Sequence, residues 1–214
     1  MRIGLALLFA SLALRSTAQG VVEPSALNEL REIQGGAPLP MLHPVTARPA
    51  EHPKLKTIVI PDRPLAVDTD GPGRFPRDRW HQGETALEYR DGASLDARKI
   101  RYVVLPVKKG WKYWRELRSV HLGDYACVIY NGKSALAVAG DTGPDAAVKH
   151  QFGEGSLRLA QDLDALADEA SGIDGGVTFV FYPGSNRDGA PRDEAELLKR
   201  LADFSRVVGC ASER

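Results

Sequence analysis

Two acidic residues, Asp141 and Glu154, each follow a glycine in the stretch GDTGPDAAVKHQFGEGS. Two more, Asp68 and Asp70, stand in VDTDGPG. Carboxyl groups held at the ends of rigid elements can divide general acid and general base work between them, one giving a proton while the other takes one. Each acid also has a purely local reading. Asp-Gly favours turns, Asp141 suits an Asx-turn, and Glu154 complements a helix dipole. Pattern alone leaves both readings open.

Other chemistries lack their motifs. The five histidines, His43, His52, His81, His121 and His150, form no HExxH pair, and both cysteines stand alone, so no metal site is expected. FGEGSL is not the G-x-S-x-G nucleophile elbow, and no glycine-rich run ends in Gly-Lys-Ser/Thr. DTDG begins like a calcium loop but lacks the third ligand and the distant glutamate. Trp80, Trp111, Tyr113 and Trp114 offer flat faces suited to sugar rings or, equally, to core packing. Three of them fall in the basic run KKGWKYWR, which also reads as a solvated loop.

These residues need a scaffold, and the sequence supplies short β-rich runs: LKTIVIP, LAVD, RYVVLP, YACVIY, ALAVAG and VTFVFYP. Six such runs suggest a small barrel or sandwich. Asn131-Gly132 between YACVIY and SALAVAG predicts a tight hairpin, which puts Asp141 at a strand end. Leu159, Leu163 and Leu166 recur at helical spacing after Ser156, which puts Glu154 just before a helix. PRDEAELLKRLADFSRVVG reads as an amphipathic helix with its stripe at Leu197, Leu201, Phe204 and Val208 and a cap at Gly209.

The N-terminus reads differently. Arg2, an apolar run from Ile3 to Leu14, and small residues at Ser16 and Ala18 form a secretory signal peptide over residues 1–18, too short in its apolar core to span a bilayer. A short helix at PSALNELREI and a proline-rich linker fill residues 19–54, and a single domain occupies 55–214. Cleavage would remove Arg2 and Arg15, leaving 26 basic against 28 acidic residues, a net charge of −2. Such a near-neutral protein has no general attraction to nucleic acid. Export would let Cys127 and Cys210 pair, although a small buried thiol is equally natural within YACVIY.

Taken together, VDTDGPG, WHQGETALEYRDGASLDARKIRYVVLP, LGDYACVIYNGK, GDTGP, GEGSLRLAQDL and GGVTFVFYPGS resemble glycoside hydrolase family 75, the chitosanases, over roughly Leu65 to Ser185. WKYW has no counterpart in that pattern, and Cys127 stands where alanine is more typical. The resemblance implies secreted or periplasmic endo-hydrolysis of chitosan with inversion, no cofactor, Asp141 and Glu154 as the catalytic pair, and Asp68 and Asp70 in substrate binding or site support. A polycationic substrate also suits Asp145 as a binding acid. GDTGP and GEGS more distantly resemble double-psi barrels, so the expected fold is mainly β within an α+β class: a small six-stranded barrel, double-psi-like, with one or two packed helices. The expected state is a monomer with polysaccharide as partner, no nucleic acid, and no stable membrane anchor once the signal is removed. Two competing readings keep the same fold: hydrolysis of peptidoglycan glycan strands, and a catalytically silent carbohydrate-binding or envelope module.

Overall fold

The structure, a computed structural model, describes residues 55–106, 114–143 and 152–210. The expected signal peptide, helix and linker lie outside these residues. So do Trp111, Tyr113, Asp145 and the side chain of Trp114.

Six strands and three helices follow in order: β1 (Ile58–Asp68), β2 (Tyr102–Leu105), α1 (Trp114–Leu117), β3 (Tyr125–Tyr130), β4 (Lys133–Thr142), β5 (Glu154–Ser156), α2 (Leu157–Leu163), β6 (Ile173–Tyr182) and α3 (Glu194–Val208). The strands close into a barrel in the order β1-β5-β2-β4-β3-β6. Pairs β1–β5 and β2–β4 are parallel and the other four contacts antiparallel. The barrel is the expected six-stranded one, although its strands divide the sequence differently. LKTIVIP and LAVD are one strand, β1, which crosses Pro61 and Pro64 through register shifts on either side of Arg63 and a left-handed Asp62 at φ 53°. Such irregularities are where a strand tolerates proline. The sixth strand is the three-residue β5, in the GEGS motif itself.

Turn chemistry fixes the β3–β4 hairpin. Tyr130 pairs with Lys133, and between them Asn131 and Gly132 both take positive φ, 46° and 80°, as a two-residue primed turn requires. Ser156 caps α2 by accepting from Leu159 N–H, and the helix stops at an extended Asp164. Leu166 therefore falls outside the expected helical stripe and is 87% exposed.

Alternation along the strands divides the apolar residues between two faces. Leu65, Val103, Leu105, Ala137, Ala139, Phe179 and Phe181 cluster with Leu159 and Leu163 of α2, and Phe152 meets Phe179 edge-on at 5.1 Å. Tyr102, Val104, Tyr125, Cys127, Leu136 and Val138 pack on the opposite side, where α3 lays down Leu197, Leu201, Phe204 and Val208 as its pattern predicts. Burial of each of these four side chains is worth about 1.5–3 kcal/mol. A disulfide, Cys127–Cys210, ties β3 to the residue beyond the α3 cap, closing a loop of 83 positions.

Candidate active site

The acids owe their meeting to register. β5, β2 and β4 are neighbours in the barrel, and Val103 of β2 pairs with Gly155 while Val104 pairs with Asp141. Because β2 and β5 run antiparallel, the step from Val103 to Val104 is a step from Gly155 to Glu154. Asp141 and Glu154 thus flank Val104 at one level. Val103 belongs to the inner cluster and Val104 to the outer one, so both acids share the outer side. On the next strand, Asp68 pairs with Ser156, two positions beyond Glu154, and faces the same way.

A bulge puts Asp141 on that side. Tyr102 pairs with Val138 and Val103 with Ala139, but Val104 pairs with Asp141, so Gly140 is an extra residue in β4. Strict alternation would have turned Asp141 inward, and the insertion turns it out. Glycine is required there by space, since a Cβ at position 140 would lie 2.6 Å from Tyr102 Cβ and 2.8 Å from Leu95 Cδ1. Gly153, before the other acid, sits at φ 122°, and its Cβ would fall 2.0 Å from Pro64 O. The glycine preceding each acid therefore permits the close packing that aims the carboxylate. Glu154 also leans across β2, for its Oε2 lies 4.0 Å from where a Cβ on Gly143 would stand.

Hydrogen bonds fix the remaining acids. Asp68 Oδ1 accepts from Asp70 N–H at 2.8 Å. Asp70 accepts from Gln82 through its backbone N–H at 2.5 Å and its side-chain amide at 3.2 Å. Tyr102, on β2, donates its hydroxyl to Asp70 O at 3.0 Å. Asp141 Oδ1 accepts from two backbone N–H groups, Ala86 at 2.9 Å and Thr142 at 2.7 Å. Asp141 is thereby the acid most favoured as a carboxylate, although burial still raises its pKa above the ordinary aspartate value.

The other three hold protons more strongly. Burial, and then the charges of Asp70, Asp141 and Asp78, push Glu154 up to about 7. Asp68, only 7% exposed, rises to about 8 through burial and the charges of Asp70, Glu154 and Asp141, against the opposing Asp70 N–H. Asp70 rises to about 6 through burial and Asp141, moderated by the Gln82 N–H and by His81. Among the described residues, the charges that act most strongly on Asp68 and Glu154 are all negative. The cluster is therefore an electrostatic sink for a proton or a cation.

Four of the five acids singled out in the sequence, Asp68, Asp70, Asp141 and Glu154, thus come together; Asp145 lies outside the described residues. Asp68, Asp70 and Asp141 each present an oxygen within 4.8 Å of the others, a set of hard donors suited to a metal ion or, equally, to an ammonium group. The sequence reading missed Asp78, which acts on both Asp70 and Glu154, and the supporting roles of Gln82 and Tyr102. Asp78 stands in RDRWH, where no motif or periodicity marks it. Tyr102 alternates in β2 like any core residue.

The molecule is thus a small closed β-barrel that carries a cluster of carboxyl groups on one side of its wall. The chain is a member of glycosyl hydrolase group 75, the family described as fungal chitosanase, whose profile matches residues 65–211. Membership makes it a glycosidase with a polysaccharide substrate. No curated protein matches the chain. Among solved structures it is similar to the Streptomyces papain inhibitor, at 17% identity and a TM-score of 0.33, over 59% of this chain and 94% of that one. Among the described residues, no helix is long and apolar enough to cross a membrane.

Proposed function

We propose that the protein is a secreted, monomeric endo-chitosanase that hydrolyses β-1,4 bonds with inversion, using Glu154 as general acid and Asp141 as general base. The observation that carries this reading is the placement of the two acids at one level on one side of the barrel, a strand apart on either side of β2. Two strand spacings separate their backbones by roughly 9–10 Å. A whole strand intervening between the two acids favours the roughly 6.5–9.5 Å of inverting enzymes, which leaves room for a water, over the roughly 5–5.5 Å of retaining ones.

The protonation states support the division of labour. Glu154, raised to about 7, keeps its proton in mildly acidic solution and can give it to the glycosidic oxygen as the bond to the anomeric carbon breaks. Asp141, held as a carboxylate by two N–H donors, can take a proton from the water that attacks that carbon from the opposite face. Solvent exchange then restores both groups. Asp70, and Asp68 where an ammonium group displaces its proton, supply negative charge for glucosamine units, with Asp145 assigned the same role. The Cys127–Cys210 disulfide suits the oxidising compartment to which residues 1–18 would direct the chain.

Reducing-end release from chitosan tests the proposal. Asp141→Asn and Glu154→Gln should each abolish it while circular dichroism stays unchanged, and wild-type-like turnover in both would reject it. Cleavage of purified sacculi but not of chitosan would move the substrate to peptidoglycan. Binding of chitosan without any turnover by the wild type would instead make this a silent carbohydrate-binding module.

A further inference from the structure

Asp78 lies on none of the strands that carry the cluster, yet its charge reaches Asp70 and Glu154. Its two oxygens are both engaged: Oδ2 accepts from the Thr69 hydroxyl at 2.7 Å and Oδ1 from Trp80 N–H at 2.8 Å. Thr69, fully buried between Asp68 and Asp70, also meets His81 Nδ1 through its carbonyl at 2.9 Å. With Asp70 holding Gln82, residues 78 to 82 are fastened to the end of β1 at several points. The loop bearing Trp80 is thus anchored beside the acidic cluster, to Thr69 and Asp70.

Trp80 itself is 74% exposed, although its backbone is held in place. An indole left in water on a held backbone is an apolar face presented rather than packed. In the same loop an open groove of about 510 Å³ is lined by Gly73, Arg74, Phe75, Pro76 and His81. Phe75 is buried there, with the His81 ring tilted 5.0 Å away. The groove is open to solvent and adjoins the acidic cluster through His81.

We infer that Trp80 and this groove form a sugar subsite beside the cleavage point, occupied by a glucosamine unit of the bound chain, with Asp78 as the positioning residue that fixes the platform. The inference rests on the chitosan reading. Continuity with the cluster argues for this occupant: the C–H face of a pyranose packs on indole, and its ammonium turns to the indole face or toward Asp70, away from Arg74 on the groove wall.

Calorimetric titration of Glu154→Gln protein with glucosamine hexamer and dimer tests it. Adding Trp80→Ala should weaken hexamer binding about tenfold, with a smaller effect on the dimer and recovery in Trp80→Phe. In the active enzyme, kcat/KM for the polymer should fall comparably, carried mainly by KM. Asp78→Asn, which keeps an acceptor for Trp80 N–H, should also move the alkaline limb of the pH–rate profile to lower pH, an effect that a merely structural role would not produce. Hexamer affinity unchanged by Trp80→Ala would overturn the subsite alone. A Glu154→Gln parent that binds no glucosamine oligomer, joined by a wild type inert on chitosan, would overturn the subsite and the chitosan reading together.

Discussion

Asp68→Asn should make the protein more stable at pH 8, and nearly flatten one component of its pH dependence. Aspartate ordinarily titrates at 3.8, whereas Asp68 in the fold titrates near 8. Between those values the folded chain binds a proton that the unfolded chain has released, so stability falls as pH rises, by about 1.4 kcal/mol per pH unit for each such group. Over this window Asp68 alone amounts to a loss on the order of 5 kcal/mol, all of it absent below pH 4. Glu154, raised from 4.5 to about 7, adds a loss of the same sign. Opposing groups act elsewhere: Asp96, Asp168, Asp193, Glu196 and Asp203 have lowered values, so their stabilisation is complete by pH 5. Asparagine keeps the Oδ1 that accepts from Asp70 N–H and cannot ionise. Urea unfolding at pH 5 and pH 8 should therefore find the wild type several kcal/mol weaker at pH 8, and the variant much less so. A wild type as stable at pH 8 as at pH 5, or a variant with the same slope, would refute the reasoning.

Hydrolysis should follow a bell-shaped pH profile, with its alkaline limb near the value of about 7 set by Glu154 and its acid limb above the ordinary aspartate value, as Asp141 is raised. Asp70→Asn removes the strongest charge acting on Glu154, so rates measured from pH 4 to 9 should place the alkaline limb lower. Gly140→Ala should destabilise by about 1–3 kcal/mol and cut turnover, because the added methyl meets Tyr102 and Leu95 at the bulge that aims Asp141; thermal melts check it. Gly143→Ala, whose Cβ meets Val104 at 3.4 Å and Glu154 at 4.0 Å among the described residues, should melt close to wild type. Reducing Cys127–Cys210 should lower stability by about 4–5 kcal/mol on the loop-entropy account, and thiol titration of the denatured chain should find two thiols only after reductant.

What was legible in the sequence was what local chemistry decides. Asn131-Gly132 dictates its turn, and the stripe from Leu197 to Val208 dictates which side of α3 packs inward. Both read correctly because few other conformations satisfy them. The break between LKTIVIP and LAVD was misleading, since two prolines look like an interruption when the partner strand β6 is out of view. The strand β5 was invisible for a related reason: three residues carry no period, and only β1 and β2 on either side make Glu154–Ser156 extended. Cys127 and Cys210 could be counted but not paired until α3 brought them together. The placement of Asp141 at a strand end was right, yet its orientation depends on the extra residue at Gly140, which no local pattern reveals. Asp78 reaches the site only through a tertiary contact with Thr69.

The partners of β1 carry a consequence for how the protein comes into being. β1 is the first strand of the barrel to leave the ribosome, yet it pairs only with β5 and β6, near the end of the chain. Until those segments are made, its edges have nothing to join, and the long loop closure makes the final step slow. A nascent chain thus lacks its closed barrel until nearly all of it is made. Asp68 joins Glu154 only in the event that seals the barrel, so the acidic cluster is complete only once the barrel has closed. The electrostatic cost of crowding the acids falls on the last step of assembly, after the apolar core has most of its contacts in hand.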